Sequence, residues 1–297
     1  MIITIDLEFQ KNACTIAAYI IESGQGPVLI ETGPHSCFEA LKEGIEAAGY
    51  KVEDIKHVLL THIHLDHAGA AWAFAQNEAT IYVHPFGVDH LADPSKLMES
   101  AKRIYQDKMD TLWGEMKAIP KKQLQPIAHE EVVQIGNLKF TAWHTPGHAN
   151  HHIAWEMGGI IFTGDVAGVQ IGEGPVVAPL PPPDINIEVW KESIELLRSR
   201  KAKAFYLTHY GAVTQVDAHL DALTTNIDTL AAWVKEHLDA GESIEEMTPK
   251  FDELALEELK KREMSEVEIA QYQAANPAWM SVTGLVRYWT KKAEGKL

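Results

Sequence analysis

The sequence predicts an α/β protein whose chemistry sits at strand ends. Three observations carry this. Through the first two thirds of the chain, short apolar runs rich in β-branched residues alternate with helical patterns. Histidines and aspartates stand where four of those runs stop. From Asp217 onward the pattern is helical, with capping-box signatures at Ser243/Glu246 and Ser265/Glu268.

In chain order, residues 2–33 read as a strand meander. Ile2–Ile5 and Thr15–Ile21 are β-rich, Glu22–Gly26 is a turn, and Pro27–Ile30 is the next strand. A helix spans about Cys37–Ala48, and Gly49 stops it. The apolar run Ile55–Leu60 reads as a buried strand that delivers Thr61-His62-Ile63-His64-Leu65-Asp66-His67-Ala68-Gly69, and a helix follows over Ala68–Ala75. Thr80–His84 is a strand cut off by Pro85. Residues 86–126 break the rhythm. Tyr105, Met109, Leu112, Trp113 and Met116 recur at helical spacing, so one or two helices are expected there. Their apolar stripe is either a lid facing a substrate or packing for the insertion.

Glu131–Ile135 and Leu138–Trp143 flank Gly136-Asn137, a hairpin signal, and the second run ends at His144-Thr145-Pro146-Gly147-His148. His151–Glu156 and Ile160–Thr163 are further strands, the latter ending at Gly164-Asp165. Gly172–Asp184 reads as an extended loop, and Asn186 caps a helix running to about Arg200. Ala204–Leu207 is the last strand and delivers Thr208-His209-Tyr210-Gly211. Three or four helices follow, with Thr248-Pro249 read as an N-cap and first-turn pair. Trp233, Trp279 and Trp289 give this tail enough apolar surface to dock on the core or on another subunit.

Composition excludes several classes. An apolar fraction of 46% over 297 residues supports a sizeable core. A formal net charge of −16 argues against a nucleic-acid partner, and the short basic runs, such as Lys260-Lys261-Arg262, read as solvated faces. Cys14 and Cys37 are the only cysteines, which fits a reducing compartment rather than a disulfide scaffold. No export signal is evident, and no apolar run reaches the roughly 18 residues that span a bilayer. A cytoplasmic chain with no membrane partner is expected.

The stretch from His62 to His67 carries the strongest signal. On a strand, His67 would point away from His62, His64 and Asp66; on a helix, positions two apart diverge. A loop can wrap all four around one point. Neutral imidazole and carboxylate suit zinc and similar divalent metals.

H-x-H-x-D-H at 62–67, His148 in T-P-G-H, Asp165 in G-D and the late His209 occur in that order and at fitting separations. The pattern resembles the metallo-β-lactamase superfamily of hydrolases. The resemblance implies a four-layer αβ/βα sandwich over residues 1–240, with 86–126 as a helical insertion and 241–297 as a helical C-terminal extension packed on it. It implies two divalent metal ions, zinc first, with manganese or iron as alternatives. His62, His64 and His148 would hold one; Asp66, His67 and His209 the other; Asp165 would bridge them. Two dications against two carboxylates and a bridging hydroxide leave net positive charge, a trap for an oxyanion. Metals about 3.5–4 Å apart can generate hydroxide near neutral pH and polarise a scissile oxygen. Asp66 could orient the nucleophile and pass a proton to the leaving group. Tyr210 could donate to a developing oxyanion, or simply pack. Glu31 stands where many relatives carry an aspartate that supports the site, which leaves that support in question.

The other histidines read more plainly. His84 is structural rather than a partner to a ligand. His144, His151 and His152 are hydrogen-bonded loop residues, and His129, His219 and His237 are surface positions.

The resemblance implies a dinuclear hydrolase of a small ester-like substrate. A lactone or other carboxylic ester stands first, because an apolar lid through Tyr105, Met109, Trp113 and Met116 suits it. Thioester hydrolysis of the glyoxalase II kind, phosphotriesterase and β-lactamase activity are alternatives. A di-iron redox module is disfavoured, because such relatives carry Glu where this chain has His64. A nuclease is disfavoured by the charge. The tail, through Trp279, Tyr288 and Trp289, is expected to help wall the pocket and to support a homodimer.

Overall fold

A computed structural model describes residues 1–297 as two facing six-stranded sheets clad by helices. In the first sheet, β1 (Ile2–Asp6), β2 (Ala17–Glu22), β3 (Pro27–Ile30), β4 (His57–Leu59), β5 (Thr80–Val83) and β6 (Leu124–Pro126) lie side by side in chain order. β1 to β3 are antiparallel and β3 to β6 parallel. The parallel pairs require crossovers. These are α1 (Phe38–Ala47), then α2 (Leu65–Ala68) and α3 (Ala71–Ala75), then α4 (Val88–Ala92), α5 (Ser95–Tyr105) and α6 (Met109–Leu112).

The second sheet comprises β7 (Val132–Ile135), β8 (Leu138–His144), β9 (Ile153–Met157), β10 (Ile160–Gly164), β11 (Ala204–Leu207) and β12 (Gly211–Val213). Its one parallel pair is β10/β11, joined through α7 (Ile187–Ser199). Four helices close the chain: α8 (Val216–Asp239), α9 (Ile244–Lys261), α10 (Glu266–Ala275) and α11 (Ala278–Ala293).

Alternation along the strands builds three apolar layers. Tyr19, Ile21 and Val28 of the first sheet meet Phe140, Trp155 and Phe162 of the second. The intervening residues Ile20, Leu29 and Val58 face α1 and α3. On the far side Ala154, Ile161 and Phe205 face α7 and α8. Strands covered on both faces read as unbroken apolar runs, which is why β2 shows no polar alternation. The four-layer sandwich implied by the resemblance is the observed fold.

Several local expectations are corrected. The run 86–126 ends in an edge strand, β6, and β11 is followed by β12; at three residues each, both are too short to show a period. The helix expected at 68–75 is two short helices. α2 takes Asp66 and His67 out of the loop and onto one helical turn. Gly69 separates the pair, and a Cβ there would lie 2.4 Å from the Leu65 carbonyl and 2.9 Å from the Pro34 Cα. Thr248-Pro249 starts no helix. The capping box of Ser243 and Glu246 has already started α9, and Pro249 sits inside it. The Thr248 hydroxyl turns back onto the Ile244 carbonyl at 2.7 Å.

The two sheets are stitched together where the chemistry lies. Ala17 N–H donates to the Thr208 carbonyl at 2.8 Å, and Ile153 N–H to the Thr61 carbonyl at 2.7 Å. The Trp155 indole donates to the Leu60 carbonyl at 2.9 Å. Each bond fixes backbone one or two residues from His62 or His209.

The tail shares a core with the second sheet's helices. Met247 and Phe251 of α9, and Val282, Leu285 and Tyr288 of α11, belong to one apolar cluster with α7 and α8. Gly284 permits close approach of α11 to the 178–183 loop, since a Cβ there would meet the Leu180 carbonyl at 1.9 Å. No helix is long and apolar enough to cross a membrane.

Candidate metal centre

Strand ends aim seven side chains at one place. β4 delivers His62, the loop after it His64, and α2 delivers Asp66 and His67; His148 follows β8, Asp165 follows β10 and His209 follows β11. Donor atoms of His62, His64 and His148 all lie within 4.8 Å of one another, as do those of Asp66, His67 and His209, and those of His62, His67 and Asp165. His64 Nδ1 stands 3.0 Å from His62 Nε2 and 3.1 Å from His148 Nε2. Asp165 spans the two groups. Its Oδ1 is 3.2 Å from His67 Nε2 and 3.6 Å from His209 Nε2, while its Oδ2 is 3.4 Å from His148 Nε2. Asp66 Oδ2 closes the second group at 3.5 Å from His209 Nε2.

The outer nitrogens explain why the inner ones are bare. His148 Nδ1–H donates to the Pro179 carbonyl at 2.9 Å, and His209 Nδ1–H to the Thr15 carbonyl at 2.8 Å. His67 Nδ1 meets Glu31 Oε1 at 3.0 Å, and His62 Nδ1 meets the Thr61 hydroxyl at 3.0 Å. An imidazole tied at one nitrogen presents a lone pair at the other. His67 Nε2 and Asp165 Oδ1 are buried with no hydrogen-bond partner, although they lie 3.2 Å apart. Both point at a shared position instead of at each other. Buried polar atoms are rarely left orphaned, and a divalent cation satisfies both.

Electrostatics agree. Burial, reinforced by neighbouring imidazoles, holds His62 well below the usual histidine range, and it pulls His64 down to about 3. Neutral imidazole is the ligating form. Burial also works against the Asp66 carboxylate, but His67 and His209 outweigh it and lower the group to about 2. At His67 burial is again opposed, and the carboxylates of Asp165, Asp66 and Glu31 raise it well above its ordinary range. The carboxylates call for a cation, and within the chain an imidazolium is all that answers. The donor set of nitrogen and oxygen atoms fits zinc, manganese or iron.

Residues around the seven support the cluster, and Glu31, whose support the sequence left in question, is the first of them. Glu31, at φ +65°, is fully buried. It reaches His67, accepts from the Thr61 hydroxyl, and accepts from the Thr208 hydroxyl at 3.2 Å. One carboxylate thus braces three of the ligand-bearing segments. His152, expected as a loop residue, accepts from the Asp165 N–H at 3.3 Å and is held at its other nitrogen by Thr145 at 2.8 Å. Gly164 allows this approach, because a Cβ would lie 2.4 Å from Thr61 Oγ1 and 2.8 Å from His152 Nε2. His151 accepts from the Ile63 N–H at 3.4 Å. His219 is no surface residue. It is 4% exposed, with Nε2 at 2.7 Å from the Ala167 carbonyl and Nδ1 at 2.9 Å from Gln170 Oε1. Gln170 N–H in turn donates to the His209 carbonyl at 2.7 Å. α8 therefore grips the loop after Asp165 and the loop after His209 together.

The ligands form the floor of a cavity of about 760 Å³, reached by His64, Asp66, His148, Asp165 and His209. Its walls come from α5–α6, from the α10–α11 junction and from Pro181–Pro183. Tyr105 and Trp113 line it, as does Trp279. Tyr105 packs edge-on against both tryptophans, with ring centroids 5.0 Å and 5.6 Å away. Met109 and Met116 do not line it. Both pack on the core under the first sheet, Met109 from the inward side of α6 and Met116 from the non-helical chain beyond its end. Tyr288 and Trp289 are also absent from the wall. Tyr288 is buried in the core of the second half, and the Trp289 indole donates to the Ala231 carbonyl at 2.9 Å. Tyr210 lies outside the cavity. Its ring packs against the core between the sheets and its phenol sits beside Cys14 and Asp6.

Comparison with known proteins agrees with this geometry. The chain is 26% identical over 220 residues to a metallo-beta-lactamase fold-containing protein of Sulfurisphaera tokodaii, covering 72% of this chain and 82% of that one. The solved structure of an archaeal metallo-beta-lactamase superfamily protein from Sulfolobus tokodaii superposes with a TM-score of 0.61 at 25% identity, over 74% of this chain and 84% of that one. A family protein from Thermus thermophilus shares the fold across 99% of this chain and 93% of its own, with a TM-score of 0.63 at 17% identity. An N-acyl homoserine lactonase of Bacillus cereus is 24% identical over 169 residues, 48% of this chain and 60% of its own length. The family described as the metallo-beta-lactamase superfamily matches residues 12–209, which take in every one of the seven converging side chains, and the chain belongs to that superfamily of metallo-hydrolases.

Proposed function

We propose that the protein is a dinuclear metal-dependent hydrolase of a carboxylic ester with an apolar body, a lactone before an open-chain ester. One observation carries this: seven metal-type side chains converge, and five of them form the floor of a largely apolar cavity. His62, His64 and His148 would hold one cation, Asp66, His67 and His209 the second, and Asp165 would bridge, with zinc first. Bound there, such ions supply Lewis acidity and a nucleophile from water near neutral pH.

The chain's own residues do the rest. Asp66 stays ionised at the cavity floor, where its carboxylate can take a proton from the attacking water and return it to the leaving oxygen. Glu31, Thr61 and His152 hold the ligands in place, so little reorganisation is needed when charge develops. Tyr105, Trp113 and Trp279 exclude water above the site. Tyr210 takes no part.

A thioester is the second reading. It is favoured by a relative named atrochrysone carboxyl ACP thioesterase from Aspergillus fumigatus, 26% identical over 205 residues, though the match spans only 39% of that protein. Screening the zinc-loaded protein on lactones, thioesters, phosphotriesters and β-lactams tests the proposal. Turnover confined to phosphotriesters or β-lactams would overturn it. The homodimer no longer draws support from the tail's tryptophans, which are seated within the chain; light scattering giving a mass near 33.0 kDa would dispose of it.

A further inference from the structure

The cavity above the ligands has two properties that narrow its occupant. The first is charge. Outside the metal cluster, its charged lining residues are Asp107 and Lys108, and both side chains belong to exposed residues. A carboxylate or phosphate carried deep into these walls would find only the exposed Lys108 as a cation, and an unpaired buried charge is strongly disfavoured. The second is a single polar atom. Trp113 lines the cavity and is 8% exposed, and its indole Nε1–H is buried without any hydrogen-bond partner. Other buried indoles are satisfied: Trp72 donates to the Glu115 carbonyl at 3.1 Å, and Trp190, in the core of the second half, to the Val166 carbonyl at 2.8 Å. An orphaned N–H costs about 1–3 kcal/mol unless a ligand meets it.

We infer that the substrate's body is an uncharged, elongated alkyl or acyl chain lying between α5–α6 and the α10–α11 junction, and that it carries a neutral acceptor oxygen which Trp113 Nε1–H meets. This rests on the hydrolase reading and extends it. At about 760 Å³ the cavity is far larger than an acetyl group needs, and it falls in the upper part of the range for drug-sized ligands. The tail supplies part of its lining, since Ala274, Trp279 and Met280 stand beside Ala101 and Tyr105, with the Tyr105 hydroxyl 3.7 Å from Met280 Sδ. Leu97 and Ile104 extend the apolar surface along α5.

The test uses the full zinc-loaded chain and p-nitrophenyl alkanoates from acetyl to decanoyl. We expect kcat/KM to rise about 100-fold along the series, a modest return on the burial of several methylenes. The sebacoyl half-ester, which is the decanoyl chain ended by a carboxylate, should lose most of that gain. Moving a keto group along the decanoyl chain should find one position that gains about tenfold, and Trp113→Phe should abolish that gain while keeping the dependence on chain length. Ala274→Phe should lower the decanoyl-to-acetyl ratio about tenfold. Calorimetry with methyl nonyl ketone supplies a readout without turnover. If the ketone binds while no ester is cleaved, the hydrolase reading falls and the chain site stands. If acetyl and decanoyl esters react alike, or the half-ester matches decanoyl, the chain site falls and the hydrolase reading stands. A keto preference that persists in Trp113→Phe removes the indole from the proposal.

Discussion

Two groups of histidines sit at strand ends of this molecule, and they are built oppositely. In one, His62, His64, His67, His148 and His209 surround two carboxylates, and bare nitrogens converge on common points. In the other, His84 after β5 and His144 at the end of β8 pack at a tilt of 47° with ring centroids 4.2 Å apart, and the His129 ring centroid lies 5.6 Å from that of His144. Here one nitrogen of each ring has a protein partner, and none of the others is a buried orphan as His67 Nε2 is. His84 Nδ1 accepts from the Phe86 N–H at 3.1 Å, His144 Nε2–H donates to the Ile127 carbonyl at 2.9 Å, and His129 Nδ1 accepts from the His144 N–H at 3.0 Å. No carboxylate contacts this trio. Crowding of histidines is therefore a poor sign of a metal site. Carboxylates among them, and a nitrogen left buried without a partner, are better signs.

The sharpest way to break this contrast is to mutate one member of each group. Asp165→Ala should lower kcat/KM by at least about 1000-fold and reduce bound metal below two ions per chain by elemental analysis. His84→Ala and His151→Ala should cost no more than the roughly 10–100-fold typical of supporting residues. Equal losses in all three would erase the distinction. Glu31→Gln comes next. It keeps the shape but removes the charge facing His67, and should weaken metal binding about 10–100-fold in a competition with a chelating dye. Unchanged affinity would show that the brace is merely structural.

His219 is a third kind, with both nitrogens facing acceptors. His219→Leu strands the Ala167 carbonyl and the Gln170 side chain, so denaturant unfolding should show a loss of about 2 kcal/mol. A smaller loss of activity than in Glu31→Gln is expected, because the effect reaches the ligands only through backbone. The smallest effect concerns acid. Burial, then His144, pulls His84 down to about 4 from an ordinary value of 6.5. A histidine depressed on folding contributes its full stability above pH 6.5 and loses it as pH falls through 4. Over that window His84→Gln should destabilise less steeply with acid than the parent does. Parallel curves from chemical denaturation would mean the ring titrates normally.

The sequence made the converging set readable because each candidate ligand lies beside a strand end or a strand-to-helix turn, and H-x-H-x-D-H places four of them within six residues. Long strands and strongly capped helices, such as β8 and α7 behind Asn186, were legible for the same local reason. What was hidden depends on contacts between distant segments. His219 lies at helical spacing with the apolar Val216, Leu220 and Leu223, a sign of burial, but its partners are 49 and 52 residues away and nothing local marks them. Glu31 joins Thr61 and Thr208 across 30 and 177 residues. The helical period in the 86–126 insertion groups Met109 and Met116 with Tyr105 and Trp113, but the helix breaks after Tyr105 and α6 ends at Leu112, so the four do not share one face.

Gly284 bears on more than packing. By letting α11 rest on the Leu180 backbone, it places the tail against the loop whose Pro179 carbonyl fixes the tautomer of His148. Asn276 holds the Ala178 carbonyl of that loop at 3.2 Å, and Arg287 and Lys291 hold the Pro183 carbonyl at 3.2 Å and 3.0 Å. Docking of the last helices and loading of the first metal group are then reciprocal equilibria: whatever favours one must favour the other by the same free energy. Chelation should make the final helices easier for a protease to cut, and shortening the chain before α11 should loosen a metal held by residues more than a hundred positions earlier.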